Sequence, residues 1–343
     1  MDTGLSQHSR RDMTDWLKGF AILSVMINHF LDVYVTRAFS GYANGIIALF
    51  FIISGHNLYY ALEKYRRINW ASVTHFFLRR CSRVYPLFWC SLIVISLYHE
   101  QLYPIWSFFL PSFRVLITYW FINALLQCYL IAPLFYIVLK RFGVVGYFAC
   151  IMLVIIVVNV HPYFLSLTNE LFFFRYKWWN MLYLVLFGVG MAFPLIMPQM
   201  ARLFSVSRAH LIFSFGLFSL FVYFTRQRNM GFPGAERVFA PLLVLSALAF
   251  CFCVLSYLPA FPLIKPLVWL GTYSYSLYLF HLDYFFLLNR VGLTAKGTFM
   301  SLVPALICFP LFCLFCYGVE TIVNKCMSPI LVRTAVLADG KGA

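Results

Sequence analysis

Charge is scarce in this chain. Only 11% of its 343 residues are Asp, Glu, Lys or Arg, where a soluble domain carries about 25%, while 63% are apolar. No water-soluble fold has interior enough to hide that surface, so lipid is the solvent for most of the chain. Disordered, fibrous and ordinary soluble readings are excluded. Acidic residues are scarcer still, 11 against 26 Lys and Arg, for a formal net charge of +15. The basic excess sits in short runs between apolar stretches. It therefore reads as cytoplasmic loops, with some left for an anionic substrate, and not as a nucleic-acid face. Internal repeats, low-complexity tracts and any stretch reading as an appended soluble domain are missing. No small-residue cleavage site follows the first apolar run, so that run is read as a retained span despite Arg10 and Arg11 ahead of it. The ten cysteines mostly lie in apolar runs, where a thiol acts as a small hydrophobe. Cys313 and Cys316 have a redox or metal spacing but lie inside a span with no His nearby, and no metal site is expected.

What is present is a succession of apolar runs. A helix needs about 20 apolar residues to cross a bilayer, and ten segments qualify: Trp16–Val35, Ala43–Leu62, Val84–Tyr98, Leu116–Leu139, Gly143–Val160, Trp179–Met197, Ala209–Thr225, Val238–Leu258, Leu267–Leu288 and Phe299–Val323. The pattern predicts an all-α, polytopic membrane bundle of about ten transmembrane helices. Residues 1–15 read as an N-terminal tail, 16–323 as the transmembrane domain and 324–343 as a C-terminal tail. With the N-terminus inside, Lys and Arg divide 17 to 9 between inner and outer segments, which places both termini in the cytoplasm. Helical material before Val84 extends the third span into the inner interface. The outer loop His161–Trp178 carries Phe172, Phe173 and Phe174, which either shape an acceptor entrance or form a passive aromatic belt.

Ionisable groups inside spans are costly and mark candidate sites. His29 lies 13 residues past Trp16, about 20 Å along an ideal helix. Lys18 precedes it by 11 positions, a rotation within about 20° of three full turns, so both line one face, with Asp15 on nearly the same side. His281 lies 14 residues past Leu267, at matching depth. Arg79, Arg80 and Arg83 open the third span at the inner surface. Arg80 and Arg83 share a helix face, and guanidinium groups suit phosphate; an ordinary positive-inside anchor is the alternative. Ser54-Gly55-His56 interrupts the second span with polarity, and Glu320 near the inner end of the last either pairs with a cation or snorkels.

In chain order these pieces resemble the acyltransferase-3 family of integral membrane acyltransferases. Asp15-Trp16-Leu17-Lys18-Gly19-Phe20-Ala21 with His29 is similar to the family's first helix, a basic residue, ten intervening positions and a histidine. Phe50-Phe51-Ile52-Ile53-Ser54-Gly55 is similar to its second-helix signature, and Arg80-Cys81-Ser82-Arg83 with Val84-Tyr85-Pro86 to its paired-arginine motif. Trp120-Phe121 with Tyr129 and Pro133 resembles the fourth helix, and Ser274 with Tyr278-Leu279-Phe280-His281 the late one. Two positions depart: His56 stands where many members have Phe or Tyr after Ser-Gly, and Leu125 where many have Glu, with Gln127 the closest polar substitute.

The resemblance implies transfer of an acyl group, most often acetyl, from cytoplasmic acyl-CoA to a hydroxyl of a cell-envelope saccharide or lipid-linked glycan on the outer side, usually of a bacterial inner membrane. Arg79, Arg80, Arg83 and Lys18 are the expected contacts for CoA phosphates. His29 is the expected general base or acyl-imidazole carrier, with His281 and Ser54 orienting base or acceptor. The competing class is a transporter or flippase of a lipid-linked sugar or anion, which calls for paired broken helices in two similar halves; the sequence shows no such halves.

Overall fold

The computed structural model describes residues 7–35, 42–65, 68–99, 120–160, 178–203, 205–226, 235–257, 264–294 and 299–338. Among them there is no strand. Ten α-helices follow in order: α1 Gln7–Phe30, α2 Tyr42–Glu63, α3 Trp70–His99, α4 Trp120–Val160, α5 Trp178–Leu203, α6 Arg208–Arg226, α7 Ala235–Tyr257, α8 Ile264–Thr272, α9 Ser274–Arg290 and α10 Leu302–Ala338. A π-helical turn, Leu31–Val35, prolongs α1, and a 3-10 turn, Phe299–Ser301, precedes α10. Among the described residues, six helices are long and apolar enough to cross a membrane, those holding Arg11–Val35, Gly45–Glu63, Trp70–Tyr98, Trp120–Leu153, Tyr183–Leu203 and Leu302–Ser328. Shorter apolar stretches are Arg208–Phe224 on α6 and Leu242–Ser256 on α7. The protein is an all-helical integral membrane protein.

Several elements differ from the expected runs for local reasons. α4 covers two expected segments, and Gly143 breaks it with φ 66° and ψ −174°, a backbone that L side chains rarely adopt. Phe135, Tyr147 and Ile151 all meet at Gly188 of α5. In a straight helix Phe135 and Ile151 would lie about 24 Å apart, so the chain turns back at Gly143 and makes a helical hairpin. The expected span Leu267–Leu288 is not one helix: Tyr273 divides it into α8 and α9. Backbone bonds still cross the joint, from the Tyr273 N–H to Trp269 O and from the Leu277 N–H to Tyr273 O. α10 continues through Ala338, beyond the expected span end at Val323. Hydropathy falls there, but helix formation needs only propensity and an unbroken ladder. The expected outer loop with Phe172, Phe173 and Phe174 lies outside the described residues.

The chain divides into two compact units, Met1–Ser54 with Phe193–Cys313, and Gly55–Ala192 with Leu314–Ala343. In the first, α1 packs on α8 through two glycines. A methyl on Gly19 would lie 1.8 Å from Leu267 O, and one on Gly271 1.6 Å from Asp15 O. Small residues let helix backbones meet this closely, which drives association in lipid where hydrophobicity cannot. An aromatic cluster of Phe20, Phe215 and Phe250, with centroids 5.6–5.8 Å apart, ties α1 to α6 and α7. Tyr284 of α9 donates to Ala305 O of α10 at 2.5 Å and stacks on Phe312. In the second unit, Gly55 brings α2 against α5, with a methyl there falling 2.1 Å from Phe187 O. The end of α2 is held to α4 by Glu63, which accepts from Tyr136 Oη at 2.6 Å and from Lys140 Nζ at 3.0 Å.

Candidate active site

In the first unit, His29 ends α1 and His281 lies mid-α9. Their ring centroids are 5.3 Å apart with planes tilted 34°. His281 is fully enclosed, and its Nδ1–H donates to Tyr278 O, one turn back on its own helix, at 2.6 Å. A carbonyl only accepts, so this bond puts the proton on Nδ1 and leaves the lone pair of the neutral ring on Nε2. That Nε2 is buried and has no partner among the described residues. His29 is half-buried. Just beyond it the helix winds into the π turn, an irregularity frequent at functional sites. Asp32 within that turn lies in electrostatic reach of His29. Tyr34, at the turn's far end, is buried and donates its hydroxyl to Phe285 O at 2.6 Å.

One turn before Gly19 on α1, Asp15 anchors a polar cluster. The Asp15 carboxylate is buried, bonded by Lys18 Nζ on Oδ1, with Thr272 Oγ1 at 3.3 Å and Arg11 Nε at 3.6 Å from Oδ2. Asp15 thus joins α1 to the last residue of α8.

In the second unit, α3 carries Arg79, Arg80 and Arg83. Arg80 is half-buried between aromatic faces, its guanidinium carbon 5.6 Å from the centroid of Phe76 and 5.9 Å from that of Tyr129 on α4. Such faces favour a cation without neutralising it. No carboxylate pairs with Arg80 among the described residues, and residues 64–99 contain no Asp or Glu. Glu63, the acid just before that stretch, is engaged by Lys140 and Tyr136. Tyr65, between α2 and α3, bonds through its hydroxyl to His75 Nδ1 at 2.8 Å. Burial raises the Tyr65 phenol above its ordinary value, against the opposing pull of Arg79 and Arg80. The result is a locally uncompensated basic cluster, fit for an anion.

A family model described as an acyltransferase domain, Acyl_transf_3, matches residues 14–321. The chain belongs to the acyltransferase-3 family. It is accordingly a membrane acyltransferase, working between an acyl donor and an acceptor in a membrane setting. No curated protein and no solved structure gives a significant match.

Within this acyltransferase, the motif residues of the first and late helices, His29 and His281, stand together, as do Arg80 of the arginine motif and Tyr129 of the fourth helix. Lys18 is engaged with Asp15, and its charge is shared with a buried carboxylate. Ser54 is half-buried on α2, and no hydrogen bond joins it to either histidine. His56 is buried with its ring 5.2 Å from Tyr60, and Gln127 is half-buried on α4. Glu320 is buried and engaged, not snorkelled to water. No group of three or more His, Cys, Asp or Glu able to hold a metal occurs among the described residues.

Sequence reasoning passed over four features. Asp283, two residues after His281, has both carboxylate oxygens buried without a partner among the described residues; the rule that singled out His29 applies to it equally. Thr272 and the Tyr278 carbonyl carry no compositional signal. The two glycines of α1 and α8 read as ordinary small residues until their helices are brought together.

Proposed function

We propose that this acyltransferase moves an acetyl group from cytoplasmic acetyl-CoA to a hydroxyl of a cell-envelope saccharide or lipid-linked glycan on the outer side of a bacterial inner membrane. It does so as a bundle of about ten spans with both termini in the cytoplasm. The observation that carries the reading is the His29–His281 pair, enclosed in a helical membrane domain of acyltransferase family membership. His29, the more exposed of the two, is the base: a group that takes a proton from substrate must be reachable by it. His281 is fixed by its bond to Tyr278 O and accepts or relays through its unpartnered Nε2.

In the reaction, the acceptor hydroxyl oxygen attacks the thioester carbonyl carbon while His29 takes the hydroxyl proton. The carbon–sulfur bond then breaks, and the proton passes from His29 to the departing CoA thiolate. Products are the acetyl ester and free CoA. General-base assistance of this kind contributes about 10²–10⁴-fold. Arg80, Arg83 and Arg79 hold the donor's phosphates, and the lack of acidic residues over 64–99 supports that role. Lys18, sharing its ammonium with Asp15, adds positive charge on the donor's route, and Ser54 orients the acceptor.

The test is mass spectrometry of envelope glycans from cells with and without the gene. The reading requires a species heavier by one acetyl group that disappears with the gene. Identical glycan and glycolipid spectra in the two strains would refute it.

A further inference from the structure

Gly19 and Gly271 each stand ten residues before a histidine of the pair, His29 on α1 and His281 on α9. The two chain segments therefore run parallel in constant register. They are pinned twice. At the first pin, Gly19 receives the Leu267 carbonyl and Gly271 the Asp15 carbonyl, each within 2 Å of where a Cβ would stand. The flanking residues Lys18, Phe20, Leu270 and Thr272 all carry side chains. A one-residue screw step of either helix, about 1.5 Å along and about 100° around its axis, would put a neighbour's Cβ in the glycine's place against a backbone oxygen. At the second pin, beyond the histidines, Tyr34 Oη donates to Phe285 O from a fully buried position. Phe30 also packs edge-on to Phe285 at 5.5 Å. The histidine pair lies between the pins.

We propose that Gly19, Gly271 and Tyr34 are positioning residues that hold His29 and His281 in reacting register. The inference rests on the reaction proposed above and says which groups set its geometry. A pair of rings on two different helices keeps its separation only if neither helix slides or turns, and misplacement of about 1 Å can cost on the order of 100-fold in rate.

The experiment uses the full chain in permeabilised membranes, with [14C]acetyl-CoA as donor and label in the glycan fraction as readout. Active sites are counted by bound labelled CoA, so kcat is expressed per folded molecule. Gly271→Ala should lower kcat by about tenfold or more with the KM for acetyl-CoA unchanged, because the arginines of α3 are untouched. Tyr34→Phe removes one oxygen and inserts no bulk, and should lower kcat at least about threefold with the same unchanged KM. Gly216→Ala on α6, where a methyl meets nothing within 4 Å, should match wild type. If Gly271→Ala yields no folded protein, Tyr34→Phe decides alone. Wild-type kcat per CoA site in the folded variants overturns the inference. His29→Ala run beside them separates the two levels. If it is inactive while Tyr34→Phe and Gly271→Ala keep full kcat, the positioning role alone falls; if it stays active, the reaction scheme falls with it.

Discussion

Replacing Asp15 with Asn isolates one charge at the α1–α8 junction while keeping side-chain volume. The Asp15 side chain is 6% exposed and that of Lys18 18%, whereas Arg11 is 73% exposed. Removing one member of a buried pair costs about 3–5 kcal/mol, because the other charge is left without a partner. Two features reduce that here. The Lys18 stem can carry its ammonium toward water, and an amide at position 15 can donate its N–H to Thr272 Oγ1 while the hydroxyl proton stays on Val268 O at 3.0 Å. The expected loss is about 2 kcal/mol, a melting shift of about 3 °C for a chain of this length. Exposed Arg11 contributes about 0–1 kcal/mol. The assay is unfolding followed by a thiol-reactive fluorophore, since the side chains of Cys128, Cys251, Cys253, Cys313 and Cys316 are buried until the bundle opens. Adding Lys18→Met to Asp15→Asn removes the orphaned ammonium, so the double variant should melt above the single one. Melting of Asp15→Asn within about 1 °C of wild type, or simple additivity in the double variant, would refute the reasoning.

Arg80→Ala should abolish most of the thermal stabilisation that acetyl-CoA confers on the purified protein, while exposed Arg79→Ala keeps most of it, read by melting across a donor titration. Tyr136→Phe removes a bond to a carboxylate and should cost about 1.5 kcal/mol, more than Lys140→Met, whose ion pair to Glu63 is about two-fifths exposed on each side; chemical or thermal unfolding ranks them. Gly55→Leu should prevent recovery of a monodisperse folded protein, because the new side chain meets the Phe187 and Met191 backbone, whereas Gly318→Leu on α10, which meets nothing, should purify normally on size-exclusion chromatography.

An apolar run says where a helix should enter a membrane, and 1.5 Å per residue then assigns His29 and His281 matching expected depths. That His29 and His281 meet was not readable, since the contact depends on Gly19 and Gly271, whose meaning appears only when two helices share a surface. Arg80 showed its charge in the sequence but not its seat between Phe76 and Tyr129. Hydropathy located the segments 116–139 and 143–160 as separate runs, and it is the backbone at Gly143 that joins them into a hairpin. The same index placed one span over 267–288, where Tyr273 divides two helices, and stopped at Val323 although α10 runs on to Ala338. Asp283 was visible in the sequence, but that its carboxylate is buried with no partner among the described residues is a property of packing alone.

The most direct measurement of the central claim is single-turnover label transfer from [14C]acetyl-CoA by the purified His29→Gln variant, beside wild type, after equal CoA binding has been verified for both. The account predicts a loss of about 100-fold or more with donor affinity intact. Transfer within a few-fold of wild type would contradict it.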